Sequence, residues 1–156
     1  MDAKQLLETW EIHNRINLYL LDAIEATSLN DMPAGSKGRS VGEQIAHLHN
    51  VRLMWLKAAA PALLDELEKV EKESATDKTL LKTSLERSGK AIDKLLADSA
   101  ANGGKIKGFK PHVGAFLGYM ISHESHHRGQ IMLVLKQSGH PVDKKTQFGL
   151  WEWGSR

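Results

Sequence analysis

Apolar side chains recur at three- and four-residue intervals in four separate stretches of this chain, and nowhere do they alternate with polar ones over a useful length. That period belongs to helices packed on one face and leaves no sheet to build a core from. Each stretch carries its own start and stop. Asp2 and Gln5 form a capping box that opens a helix predicted to reach about Thr27, with Leu6, Trp10, Leu20 and Ile24 near one face. NDMPAGSKGRS is a loop, punctuated by Pro33, Gly35 and Gly38. Ser40 and Glu43 make a second capping box ahead of VGEQIAHLHNVRLMWLKAA, and Pro61 ends that helix because the residue before a proline avoids the helical region.

PALLDELEKVEKESA reads as either a surface helix or an extended crossover. Asp77 then caps a third helix in which Leu80, Leu81, Leu85, Ile92 and Leu95 keep helical spacing. ANGGKIKGFKP interrupts it. The last long helix is predicted from about His112 to Ser138, closed by Gly139 and Pro141, and DKKTQF beyond it reads as a solvated connection. Four amphipathic helices predict an all-α four-helix bundle, a single domain over residues 1–156. The longer link between the second and third helices permits a crossover there.

Composition limits the chemistry. The chain has no cysteine, so any metal must be held by His, Asp or Glu, and thiolate sites and a cysteine nucleophile are excluded. A net charge of +2, without a basic block interleaved with aromatics, gives no reason to expect nucleic acid as a partner. MDAKQLLETWEIH lacks the basic start and apolar run of a secretory signal, and no apolar run approaches a membrane span, so the expectation is a cytoplasmic chain without membrane contact. Trp10, Trp55, Trp151 and Trp153 read as core or lid residues. The apolar area of four tryptophans in a chain this size leads us to expect a homodimer, the commonest symmetric assembly.

HESHHRGQI concentrates three of the eight histidines in five residues. At about 100° per residue, the apolar stripe of that helix is Val113, Phe116, Leu117, Met120, Ile131, Val134 and Leu135. His123 falls on its edge, His127 within it, and His126 well away. Glu124 and Arg128 project to the outer flank, where a salt bridge to a neighbouring helix is as reasonable as a role beside a metal, and Gly129 reads as a site of close helix packing. Imidazoles four residues apart converge on one ion at about 2.0–2.1 Å from each nitrogen. The alternative is a pair of core histidines bonded to neighbouring side chains or water. His47 and His49 in the second helix lie on opposite flanks of the stripe Val41, Ile45, Leu48, Val51 and Trp55, and periodicity does not choose between them. His13 is a weaker candidate, more in keeping with a satisfied core histidine.

His123, Glu124 and His127 also spell the H-E-x-x-H of zinc proteases. The glycine and histidine that follow in metzincins are replaced by Gln130 and Leu133, and no strand is on hand to pair with a peptide. The protease reading fails.

SVGEQIAHLHNVRLMWL, the later HESHHRGQI and the closing FGLWEWG together resemble the DinB/YfiT-like family of metal-dependent four-helix proteins, unrelated to the polymerase that shares the name. The resemblance implies an up-down-down-up bundle holding one divalent metal, commonly zinc or nickel, through three histidines. Carried over, those ligands are His47, His123 and His127, and His49 and His126 have no ligand role. It further implies a metal-dependent enzyme acting on a small-molecule substrate, with transfer of a low-molecular-weight thiol (bacillithiol, mycothiol or glutathione) ahead of hydrolysis. The competing expectation is a metal-binding stress or interaction protein without turnover. No catalytic residue is assigned.

Overall fold

The computed structural model describes residues 2–35 and 37–156. Four long helices dominate: α1 (Ala3–Ala23), α2 (Val41–Ala59), α3 (Lys78–Ala101) and α4 (Val113–Gln137). Both predicted capping boxes form, Asp2 with Gln5 and Ser40 with Glu43, and the Asp77 carboxylate accepts the Leu80 N–H at the start of α3. Each cap satisfies amide groups that the first turn of a helix leaves without an intrahelical partner.

The two ends of the bundle have separate apolar clusters, and their membership fixes the direction of each helix. Leu6 and Trp10 from the start of α1 pack with Leu56 from the end of α2, Leu95 and Leu96 from the end of α3, and Phe116 and Leu117 from the start of α4. Leu20 and Leu21 pack with Val41 and Ile45, with Leu81 and Leu85, and with Ile131 and Val134. Helices α1 and α4 therefore run one way and α2 and α3 the other, an up-down-down-up bundle. α2 ends where α3 cannot begin, so residues 60–77 must travel back along the bundle, about 28 Å for a helix of 19 residues.

That return is neither a continuous helix nor an extended strand: two 3-10 segments, Pro61–Leu64 and Lys72–Ser74, and the turns after them are joined by irregular chain. It is pinned to α2 by a reciprocal pair, Asn50 Nδ2 donating to the Val70 carbonyl at 2.9 Å and the Val70 N–H donating to Asn50 Oδ1 at 3.0 Å. Gly42 lets the crossover approach, since a Cβ there would run into the Ala75 carbonyl.

Three local features differ from the sequence expectation. α1 stops at Ala23 and a separate 3-10 turn covers Ala26–Asn30. The glycine-rich break holds a small hairpin, β1 (Lys105–Ile106) against β2 (Phe109–His112), turned by Gly108 at φ 85°. DKKTQF is a helix, α5 (Lys144–Gly149), rather than a solvated connection: Asp143 caps it and Thr146 and Gly149 are buried. Six residues are too few for periodicity to report a buried face. Among the described residues, no helix is long and apolar enough to cross a membrane.

Candidate metal centre and its buried support

Between the two apolar clusters lies a layer of polar side chains to which all four helices contribute. Glu124 of α4 is at its centre and fully buried. The Arg52 guanidinium of α2 clasps it with two bonds, Nε to Oε1 at 2.7 Å and Nη2 to Oε2 at 2.8 Å. Asn17 Nδ2 donates to Oε2 at 2.6 Å, and His13 Nε2 lies 2.8 Å from the same oxygen. Arg52 also donates to the Leu85 carbonyl of α3 and to Asn14 Oδ1, and it lies over the Trp10 ring at 4.9 Å. Burial pushes the Glu124 carboxyl up, but the Arg52 charge and the bonds from Arg52 and His13 overcome it and hold the group ionised, well below the usual carboxylate range. Glu124 therefore does not lie on an outer flank. The projection followed the face α4 turns to the apolar clusters, whereas α4 is also buried midway along, where α1 and α2 supply polar partners.

The histidines on either side of Glu124 point to the α2–α4 edge. With His47 of α2 they form a triad whose ligand atoms all lie within 4.8 Å of one another. His47 and His127 ring centroids are 4.6 Å apart, and His123 and His127 4.7 Å. His127 is buried, and the other two are half-buried. The donor set suits a divalent ion. Gln44 Oε1 lies 2.7 Å from His127 Nδ1, which places the ring proton on Nδ1 and leaves Nε2 free as a ligand. His123 Nδ1 is buried with no hydrogen-bond partner, which is costly in an apolar surrounding unless something else engages it.

All three rings are held neutral, the form that ligates. Burial lowers His47 first, helped by the Arg39 and His123 charges. Burial likewise lowers His123, and it takes His127 down to about 4 with the repulsion of His47 and His123 added. Between about 4 and the ordinary value near 6.5, the unfolded chain binds a proton at His127 that the folded chain refuses. Stability of the metal-free chain is thus complete above the upper value and declines as pH falls through that window. Thermal melting followed from pH 7 to pH 4.5 is expected to show a falling midpoint, and a rising one would contradict the burial of these rings.

The remaining histidines separate cleanly. His126 is exposed. His49 is buried on the other side of α2, with Nε2 2.8 Å from the Glu68 carbonyl of the crossover and Nδ1 3.0 Å from the Ser84 carbonyl of α3; burial holds the ring neutral, so its one N–H donates to one of the two. His13 belongs to the polar layer. Periodicity leaves His47 and His49 open; the structure groups His47 with the α4 pair, while the crossover lies on the His49 flank. The roles of Arg52 and Asn17 went unread, because nothing in sequence spacing pairs them with Glu124.

The model of the DinB family matches residues 1–151. The chain belongs to the DinB family. The DinB assignment agrees with the solved structure of a DinB-like protein from Bacillus cereus ATCC 10987, which matches with a TM-score of 0.64 at 20% identity over 90% of this chain and 95% of that one. At that identity the likeness speaks for the DinB fold alone. No curated protein matches the chain.

Proposed function

We propose that the chain is a metal-dependent enzyme that transfers a low-molecular-weight thiol to an electrophile, using one divalent ion, zinc or nickel, held by His47, His123 and His127. The observation that carries this reading is the triad's position: three neutral imidazoles at the edge of the bundle, two of them partly exposed, rather than a sealed cage. A divalent ion bound by three neutral ligands supplies the charge that converts a thiol to thiolate, or water to hydroxide, at neutral pH. The protein's own residues do the rest. Gln44 fixes the His127 ring, and Glu124 with Arg52 locks the turn of α4 that carries both of its histidines. Arg39 lines both clefts flanking the triad, one with Gln44 and one with His47, and its permanent charge disfavours protonation of all three rings. The same charge attracts an anionic co-substrate to the edge.

In the transfer, the thiol loses its proton, its sulfur bonds to the electrophilic carbon, and the leaving group departs with the electrons of the bond it gives up. The cobalt-substituted chain should show a sulfur-to-metal charge-transfer band on addition of bacillithiol, mycothiol or glutathione, and the band should be absent in His47→Ala. Without a band for any of the three, and without metal-dependent conjugation of model electrophiles, the transferase reading is wrong. Metal-dependent ester or amide hydrolysis would then make it a hydrolase, and silence in both assays a metal-binding protein without turnover.

A further inference from the structure

The polar layer contains two guanidinium groups and one carboxylate. Arg52 takes both oxygens of Glu124. Arg128 is left with neutral partners: Asn17 Oδ1 at 2.6 Å, Ser125 Oγ at 3.0 Å and the His13 ring at 3.5 Å. Among the described residues it forms no direct ion pair, although it is partly buried and feels the Glu124 charge at longer range. A guanidinium withdrawn from water with no anion in contact is a costly arrangement, and it favours any anion that reaches it.

An anion has a place to sit. Arg128 lines a cavity of about 450 Å³ together with Gly129, Met132, Leu150, Trp151 and Trp153, within the size range of small-ligand pockets. At 100° per residue, Ser125, Gly129 and Met132 fall on the side of α4 away from His123 and His127, so this cavity is separate from the metal centre. Gly129 does not serve close packing, because a Cβ there would meet nothing within 4 Å; its missing side chain keeps the cavity open. The chain on both sides of the tryptophans is tied back to the bundle rather than trailing. The Arg156 guanidinium lies 3.8 Å over the Tyr19 ring and donates through Nε to the Gly149 carbonyl, and Arg15 donates to the Arg156 carbonyl. Trp151 is nonetheless 81% exposed, a large ring left uncovered beside a cation with no anion in contact.

We propose that this cavity is a second, metal-independent ligand site for a flat aromatic carboxylate. The carboxylate takes the free donors of Arg128, and the ring lies against Trp151 and Trp153. One surplus positive charge suits a monoanion, and a planar guanidinium matches a carboxylate with two parallel bonds. The indole walls set the apolar, flat character of the rest. Nothing in this assignment depends on the triad being a metal site.

Calorimetry on the metal-free full-length chain with 2-naphthoate, and with neutral 2-naphthylmethanol as control, tests it. The acid is expected to bind at one equivalent and about tenfold tighter than the alcohol, the scale of one charge-assisted hydrogen-bonded contact. Arg128→Gln should erase the preference, Trp151→Ala should weaken both ligands alike, and Gly129→Leu should block both. The last two variants touch exposed positions and stay informative should Arg128→Gln not fold. Equal affinities for acid and alcohol, a preference that survives Arg128→Gln, or binding undiminished in Gly129→Leu would each overturn the site. Displacement of naphthoate by added zinc would put it at the histidines and overturn it too. A chain that sediments as a dimer and binds no naphthoate would assign the tryptophan surface to a second copy instead.

Discussion

Replacing His127 with alanine is expected to abolish stoichiometric metal binding while leaving the bundle folded. His47→Ala and His123→Ala should do the same, because among the described residues these three imidazoles are the donors gathered there. We expect affinity to fall by more than the roughly 10–100-fold typical of losing a residue that merely orients a ligand. Gln44→Ala supplies that smaller effect, since it removes the acceptor that fixes the His127 ring. His126→Ala should retain a full equivalent of metal, its side chain being exposed and off the α2–α4 edge. His49→Ala should also retain metal yet melt lower, because it removes a buried ring packed between the Glu68 and Ser84 carbonyls and the one hydrogen bond that its N–H makes there. Elemental analysis and competition with a chromogenic chelator give the affinities. Metal lost in His126→Ala and kept in His127→Ala would mean that α4 is rotated from the orientation described.

Glu124→Ala is expected to cost the most stability of any single polar substitution. It strands Arg52 in a fully buried position and strips partners from His13 and Asn17. Breaking a buried ion pair from one side costs about 3–5 kcal/mol, which for a chain of this size lowers the melting temperature by roughly 6–20 °C. Glu124→Gln should be milder, keeping the shape and one acceptor. Arg52→Met combined with Glu124→Leu should be less damaging than Glu124→Leu alone, because it removes the stranded charge as well. Thermal and urea denaturation of the metal-free proteins would settle the order. If Glu124→Ala melts like the unsubstituted chain, the carboxylate does not organise the layer. The distinction matters for the triad, since Glu124 lies between two of its members on one turn of α4, and a Glu124 variant that folds should also bind metal more weakly.

Much of this architecture was legible because the signals were local. Capping boxes, a proline stop and helical spacing each depend on residues within a turn of one another, and the caps and stops of α2, α3 and α4 follow them closely. The inward placement of His127 and the outward placement of His126 were legible for the same reason. The bundle as a class, and through the family resemblance its up-down-down-up order, needed no more than this. A six-residue helix such as α5 and a hairpin of a few residues did not show, because neither is long enough to carry a period.

What the sequence by itself determined is therefore the set of elements: four amphipathic helices, their ends, and two histidines one turn apart on α4. What only the tertiary structure decided is which polar groups meet. Glu124 looked outward on a projection of α4 alone, yet it is fully buried because Arg52, His13 and Asn17, distant in sequence, converge on it. The physical reason is that a carboxylate has no preferred face of its own. Its burial is tolerated only where opposite charge and donors are brought to it, and that depends on how the helices pack rather than on the order of residues in any one of them. The same holds for Arg128, whose lack of a direct anionic partner appears only once Glu124 is seen to be occupied by Arg52, Asn17 and His13.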